Sequence, residues 1–390
     1  MVVVTVSITL LFTGASVRAL EASGFTFVVS SGSATVTGCV GTCSASLVIP
    51  AALGDYAVNN IGEQAFYNNS LTAVVIPNSV TNIGRSAFSS NSLTTVVIPN
   101  SVTNIGDFAF HNNSLTIATI GSSVTNIGDQ AFNGNSLTTL VIPNSVTNIG
   151  DYAFSYNSLT TVTIGRSVTT IGNSAFYDNR LTTVIIPNSV RSISNWAFTV
   201  NQLSAVTIGN SVTSIGDWAF AANSLTSVTF LGNAPTHGIS VLESNFGLTS
   251  VTRSSTATGW SSTWGGKPVV VAAEPVDPAE PEEPVAQAVA TLKPTISGTA
   301  SFSKELKAAK GTWTGYPTPT FTYQWYACTK AVKAPRMTVP STCKKIAGAT
   351  RSIFRLKLAQ RNKYVAVLVT GKSNGTPATT WLSKTTIKVK

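Results

Sequence analysis

The chain has 390 residues, of which 43% are hydrophobic and only 10% charged, with a formal net charge of +10 at pH 7 and a mean hydropathy of +0.24. That length leaves room for two or three domains, and a composition led by Thr, Ser, Asn, Val and Ile favours strands and turns and sets aside a fold of long helices. The charge does not describe the whole surface: residues 291–390 hold 18 Lys or Arg against the single acid Glu305, whereas the residues before Ala272 hold 7 basic and 9 acidic side chains.

Residues 1–19 open on an apolar run, Val2 to Val17, followed by Val17-Arg18-Ala19, with small residues where a signal peptidase reads. We expect a secretory signal peptide here, although no Lys or Arg precedes the run; a buried first strand is the competing reading. A membrane span is not expected, because the run falls short of roughly 20 apolar residues and is broken by Thr5, Ser7, Thr13 and Ser16. Nothing further along is apolar enough to serve as a transmembrane anchor. Residues 20–57 alternate apolar side chains (Phe25, Phe27, Val29, Ala34, Val36) with Gly-rich turns and read as an N-terminal β-hairpin cap. Cys39 and Cys43 within it have no second ligand pair and no nearby His, so a short-loop disulfide in a turn is expected over a metal or redox site, which requires an oxidising compartment.

Residues 58–252 repeat one sentence of 22 residues. Phe66, Phe88, Phe110, Phe132, Phe154, Phe176, Phe198 and Phe220 each lie 22 beyond the last, which predicts eight stacked, equivalent rungs of a solenoid. In each rung Val74, Val96, Leu140 and their equivalents alternate with Ile76, Ile98 and Ile142, giving a period-two strand with its apolar face inward. A Pro or Gly then turns the chain, a Val returns it to the core, Ile-Gly sets a second turn and Ala-Phe closes the rung. A single rung buries too little to fold alone, and a stack needs caps at both ends to cover its apolar faces and sheet edges.

One polar row is as regular as the core: Asn69, Asn91, Asn113, Asn135, Asn157, Asn179, Asn201 and Asn223. It is expected to be a buried structural ladder whose amides satisfy the backbone groups of the turns. Asp107, Asp129, Asp151 and Asp217 form a second row; Asx-turn or capping duty suits them better than a calcium ladder, because the same slot accepts Glu63, Arg85 and Asn173. Ligand-binding candidates lie where the frame is held and the side chain varies. Thr139, Thr161, Thr163 and Thr183 belong to a flat, weakly polar strand face able to accept another protein or to order water. Phe108, Tyr152, Trp196 and Trp218 share a row after Ile-Gly, with Trp196 and Trp218 adjacent, and exposed aromatics anchor proteins and sugars; mutual packing on the convex side is the competing reading. His111 and His237 lie far apart in rung order with no nucleophile motif, metal cluster or phosphate loop beside them, so both are read as ordinary surface residues, and neither catalysis nor a cofactor is expected.

The unit Leu-x-x-Val-x-Ile-Pro-x-x-Val-x-x-Ile-Gly-x-x-Ala-Phe-x-x-Asn resembles the leucine-rich repeat of the BspA-like, treponemal type over about half the chain. The resemblance implies a right-handed leucine-rich-repeat solenoid with a parallel sheet on its concave side. It also implies a surface or secreted bacterial protein of adhesin-like role. Many members carry Cys where these rungs place Asn, which alters the ladder chemistry and not the fold. Ile117-Ala118 replaces Thr-Val in the third rung and predicts local irregularity.

Past Leu225 the repeat decays, and residues 253–271, with Gly259-Trp260 and Trp264-Gly265-Gly266, read as a C-terminal cap. Residues 272–290 carry Pro275, Pro278, Pro281, Pro284 and five acids and read as an extended linker. Residues 291–390 alternate like an antiparallel β domain. Gly311-Thr312-Trp313-Thr314-Gly315, Thr322-Tyr323-Gln324-Trp325-Tyr326 and Lys363-Tyr364-Val365-Ala366-Val367 resemble the Ig-like modules of secreted Gram-positive proteins, which implies an antiparallel Ig-like β-sandwich with Trp325 in its core and Tyr364 as a corner tyrosine. Cys328 and Cys343 lack the usual inter-sheet spacing, and a disulfide across a hairpin loop is expected. A charge excess of 17 in this domain favours an anionic cell-wall polymer or lipid surface as partner, with simple solubility as the alternative. No aromatic-basic interleaving supports specific nucleic-acid binding. The chain therefore reads as mainly β, a non-catalytic, secreted or cell-surface binding protein with a protein or glycan ligand on the solenoid. A spacer without a ligand is the second reading, and a hydrolase using the Ig-like module for targeting the third. No sorting motif or membrane tail closes the sequence, so covalent attachment is not expected.

Overall fold

A computed structural model describes residues 20–272, 286–316, 319–373 and 378–390, so the expected signal segment 1–19 and most of the expected linker lie outside the described residues. The chain divides into two compact units, Met1–Pro284 and Val285–Lys390.

Among its described residues the first unit is a parallel β-solenoid of about 11 turns without helices. Each rung contributes not one strand but two. The first row, expected from the alternation, includes Ala73–Val75, Thr95–Val97, Thr139–Val141 and Thr183–Ile186. The second was read from sequence as a turn. It consists of two-residue strands ending on the conserved-slot Ile, such as Asn82–Ile83, Asn104–Ile105 and Asn148–Ile149, which pair in parallel, rung on rung, through Thr236–His237. Two residues are too few to show a period in the sequence. The row is nonetheless the most continuous sheet in the molecule, with 13 strands once the N-terminal hairpin is included.

The first row is less continuous. It breaks below Thr95–Val97, Thr139–Val141 and Thr183–Ile186, the rungs that go on to Pro99, Pro143 and Pro187. Where Gly follows instead, the rungs close up: a Cβ at Gly121 or Gly165 would stand 2.2 Å from the carbonyl oxygen of Pro99 or Pro143 below. Only a residue without a side chain permits that approach. Pairing of Ser46–Val48 with Ala73–Val75 holds in spite of Pro77. The third rung keeps its register despite its altered sequence, with Ile117 opposite Thr95 and Ala118 opposite Val96.

Between the rows lies the core. Phe66 through Phe220 form one column of stacked rings, with centroids 5.2 Å apart at Phe88–Phe110 and Phe110–Phe132 and 5.5 Å at Phe154–Phe176. Phe25 of the N-terminal hairpin meets Phe66 edge-on at 6.3 Å and closes the column's lower end. That hairpin, Phe25–Ser30 with Ser33–Cys39, joins the second row directly, since Ser33–Cys39 runs parallel to Tyr56–Ile61. At the other end Phe230 takes the slot of the repeating Ile, and Trp260 and Trp264 pack on it at 4.9 and 4.6 Å. Strands Val251–Arg253 and Lys267–Val271 extend the first row into the C-terminal cap.

The second unit is built of antiparallel sheets. Its four-stranded sheet orders Cys343–Lys345, Thr320–Cys328, Tyr364–Lys372 and Thr379–Leu382; a three-stranded sheet holds Thr295–Ser297, Glu305–Ala309 and Ile353–Arg355. Ala286–Leu292 pairs with Thr312–Tyr316, so the end of the segment read as linker is a strand of this unit. Trp325, fully buried, stacks on Phe354 at 5.5 Å among Leu306, Trp313, Val365 and Val367, and its Nε1 donates to the carbonyl of Arg351 at 2.8 Å. Tyr364 is half-buried and opens its strand opposite Cys328.

Candidate functional site

The asparagine row stitches adjacent rungs together. Asn135 Nδ2 donates to the carbonyl of Phe110 one rung below at 3.0 Å and to that of Phe132 in its own rung at 3.0 Å, while its Oδ1 accepts the N–H of Leu115 at 3.0 Å. Asn91, Asn113, Asn157, Asn179, Asn201 and Asn223 repeat the same three contacts. The side chain of Asn69, in the first rung, donates to Tyr67 O at 2.9 Å, and its backbone N–H to Asn91 Oδ1 of the next rung at 3.0 Å. Asn245 is a ninth member that sequence reading missed: it receives Leu225 N–H at 3.0 Å and bonds Phe220 O at 2.9 Å. Its signal was present, since it lies 22 residues beyond Asn223, but Leu242 there replaces the marker Phe. A second amide ladder, Asn82, Asn104, Asn126 and Asn148, runs side chain to side chain at 2.9 to 3.1 Å along the second row.

The aspartates serve the backbone of the next rung. Asp107, Asp129 and Asp151 accept the N–H of Asp129, Asp151 and Asn173 at 3.0, 2.8 and 2.7 Å, and Asp217 that of Ile239 at 2.8 Å. Among the described residues, no three His, Cys, Asp or Glu side chains group as metal ligands.

Next to this row stands the feature that sets the site apart. Gln64, Ser86, Phe108, Gln130, Tyr152, Ser174, Trp196, Trp218 and Ser240 all have φ between 51° and 58°. They are the third residues of the turn that follows the slot of the repeating Gly, closed in one rung by Ala65 N–H to Gly62 O at 3.3 Å. Left-handed backbone there suits Gly or Asn, and a bulky side chain costs about 1 kcal/mol or more. Four aromatics nevertheless occupy it. Trp196 is 42% and Tyr152 37% exposed; Phe108 and Trp218 are half-buried. Trp196 N–H donates to Asp217 O at 2.9 Å, so Trp196 and Trp218 stand on successive rungs about 4.8 Å apart. No ring pairing between them occurs among the described residues; the rings that do pair are Phe108 with His111 at 5.7 Å and Tyr156 with Tyr177 at 5.5 Å. Arg85 lies over Phe108 at 5.0 Å and within 3.9 to 4.0 Å of Asp107 and Glu63.

A second left-handed row, four residues on, includes Tyr156, Asp178 and Val200. Sequence reading did not single these out, because only the backbone shows that the two rows share an edge. Tyr156 and Val200 are exposed. Burial, then the neighbouring Tyr156 and Asp178, push the Tyr177 phenol above its ordinary pKa, so it remains a hydrogen-bond donor.

The threonine face is less uniform than expected. Thr139 pairs with Thr161 and Val141 with Thr163, but the ladder stops before Thr183, which opens the next sheet. Thr139, Thr161 and Thr183 are exposed and Thr163 half-buried. His237 is exposed, as expected, whereas His111 is half-buried. His111 Nδ1 is buried without a hydrogen bond, and burial lowers its pKa against a smaller opposing effect of Asn133. His237 lies 4.9 Å from the Trp264 ring and bridges Gly238 O at 2.9 Å and Gly265 N–H at 3.3 Å. Disulfides join Cys39 to Cys43 and Cys328 to Cys343.

Parallel rungs with a buried Leu, Asn and Phe at fixed slots define a leucine-rich-repeat solenoid. The family described as BspA type leucine rich repeat region (6 copies) matches residues 59–182 and 147–262, over half the chain, and the chain belongs to that family. Solved structures similar to it include a leucine-rich repeat protein from Bacteroides ovatus, 24% identical over 60% of this chain and 70% of that one, with a TM-score of 0.47. The pneumococcal vaccine antigen PcpA is 16% identical over 65% of this chain and 87% of its own, at a TM-score of 0.39. A leucine rich cell surface protein from Faecalibacterium prausnitzii is 21% identical over 67% and 96%, at 0.32. No curated protein matches the chain. No helix among the described residues is long and apolar enough to cross a membrane.

Proposed function

We propose that this is a secreted or cell-surface, non-catalytic binding protein whose solenoid offers a protein or glycan recognition edge and whose basic C-terminal unit associates with an anionic cell-envelope polymer. The observation that carries the reading is the aromatic row. Bulky side chains occupy left-handed positions where neighbouring rungs use Ser86 and Ser174, so the turn itself does not call for an aromatic residue. Exposed Trp and Tyr supply large, rigid, amphipathic contact area of the kind that anchors protein and sugar ligands. Membership of the repeat family and the two disulfides support a binding role in an oxidising compartment.

The test compares the full chain with a Tyr152→Ser, Trp196→Ser, Trp218→Ser variant on glycan and protein arrays. Because serine already fills this slot in other rungs, the variant should keep a single cooperative solenoid transition while losing at least tenfold in capture. Equal capture by both removes the aromatic row as the site. No capture by the parent on either array favours the spacer reading.

A further inference from the structure

The loop between Cys328 and Cys343 is pinned at every side. The two cysteines are directly opposed across antiparallel strands with Cα atoms 3.9 Å apart and joined as a disulfide. Thr329 N–H reaches Thr342 O at 2.9 Å above that base, and Arg336 and Leu382 exchange backbone hydrogen bonds of 3.1 and 2.7 Å. Val332 is buried with Cys328, Ala366 and Leu382 in a small core of its own. The loop walls an open cleft of about 460 Å3 whose lining is more apolar than polar, with Val332, Pro335 and Pro340 beside Lys330, Lys333 and Arg336.

All three cations are exposed, and none has a carboxylate partner: among the described residues the ion pairs are those of Arg85 in the other unit. The one acid of residues 291–390, Glu305, lies in the three-stranded sheet opposite Arg355. Three cations share one pinned loop without an acid among them, and a preformed cleft lets an anion enter without ordering the chain first. A guanidinium fork matches two oxygens of one phosphate, while ammonium groups serve neighbouring oxygens as point charges. The volume falls within the range of sites that enclose a small molecule, about 300 to 1,000 Å3. It therefore suits one or two units of a thin polymer and not the width of a duplex.

We propose that this cleft is a phosphate site that seats the phosphodiester units of an anionic envelope polymer. The proposal rests on the reading of the basic unit as envelope-associating and gives that reading a location. Sequence-wide charge attracts polyanions from a distance; the cleft fixes where the chain is held.

The full chain is titrated by calorimetry with poly(glycerol phosphate), at matched salt. A Lys330→Gln, Lys333→Gln, Arg336→Gln variant should bind at least tenfold more weakly, and Arg336→Lys, which keeps the charge but loses the fork, several-fold more weakly. A control with the same charge removed on and beside the three-stranded sheet, Lys304→Gln, Lys307→Gln, Lys357→Gln, should change binding less than threefold. Inorganic phosphate should compete for the parent and not for the cleft variant. Equal weakening in the cleft and control variants overturns the cleft and leaves diffuse attraction. Poly-glutamate binding the cleft as tightly overturns the phosphate assignment; single-stranded DNA, itself a phosphodiester, binding as tightly overturns the choice of an envelope polymer, as does cleft-dependent binding to phosphatidylglycerol vesicles without binding to the free polymer. A parent that binds no polyanion at all overturns the envelope reading itself.

Discussion

Asn135 makes its contacts at a point where the backbone turns and can no longer pair with itself. From Phe88 to Phe220 each Phe carbonyl in the column receives two amide donors, one from its own rung and one from the next: Phe110 O takes Asn113 at 3.2 Å and Asn135 at 3.0 Å. Removing one Asn therefore leaves the carbonyls half-served, but the N–H of Leu115 loses its partner inside the core. An orphaned buried donor costs about 1–3 kcal/mol, so Asn135→Ala should lower the melting temperature by several degrees. An unchanged melting curve would show that water or a shifted backbone serves Leu115 instead. His111 gives a pH-dependent case. Burial holds its folded pKa below the unfolded value of 6.5, against a smaller opposing effect of the Asn133 side chain. Between those two values the unfolded chain binds the extra proton, so stability is full above pH 6.5 and falls as the pH drops toward the folded value. In His111→Asn, which copies Asn133 of the next rung, the melting temperature should fall less between pH 7.5 and 5 than in the parent. A steeper fall in the variant would contradict the sign.

A rung is an element that has no stability of its own and is interchangeable with its neighbours. Deleting residues 115–136 joins Ser114 to Leu137 and leaves the Asn-Ser-Leu sequence intact. Phe110 would then stack on Phe154 in place of Phe132, with no change in spacing. The shortened chain should keep its β-rich circular dichroism and cooperative melting, at a slightly lower midpoint, whereas deleting half as many residues should abolish the fold. Loss of structure on removing the whole rung would mean that the rungs are not equivalent. This regularity is why the solenoid was legible in advance: inward Val, Ile, Leu, Ala and Phe positions recur often enough that each rung confirms the last. The second strand row was not legible, because a two-residue strand has no period and its partner lies 22 residues away. Breaks in the first row depend on whether Pro or Gly sits in the turn of the rung above, a distinction the repeat pattern treats as equivalent. The proposed recognition edge was half legible. Phe108, Tyr152, Trp196 and Trp218 stood out as variable aromatics in a fixed frame, but their left-handed backbone, and the second row that brings Tyr156 and Val200 beside them, are properties of φ and not of residue type.

Two units with separate cores and opposite charge habits make up the molecule, and their disulfides are placed to act on them unequally. Cys39–Cys43 spans a separation of only 4 residues at the start of a long stack, where a local opening frays the hairpin and leaves the following rungs paired. Cys328–Cys343 spans 15 residues, a loop for which the chain-entropy account gives about 3 kcal/mol, and it lies in the smaller unit. A given loss of free energy moves the midpoint of a unit near 100 residues further than that of a larger one. Calorimetry of the full chain should accordingly show two transitions, and a reductant should move the one belonging to the Trp325 core by ten degrees or more while the other shifts less. Binding to polyanions should fall in the same reduced sample, since the cleft loses the bond at its base. One transition that moves as a whole would mean that the two units unfold together.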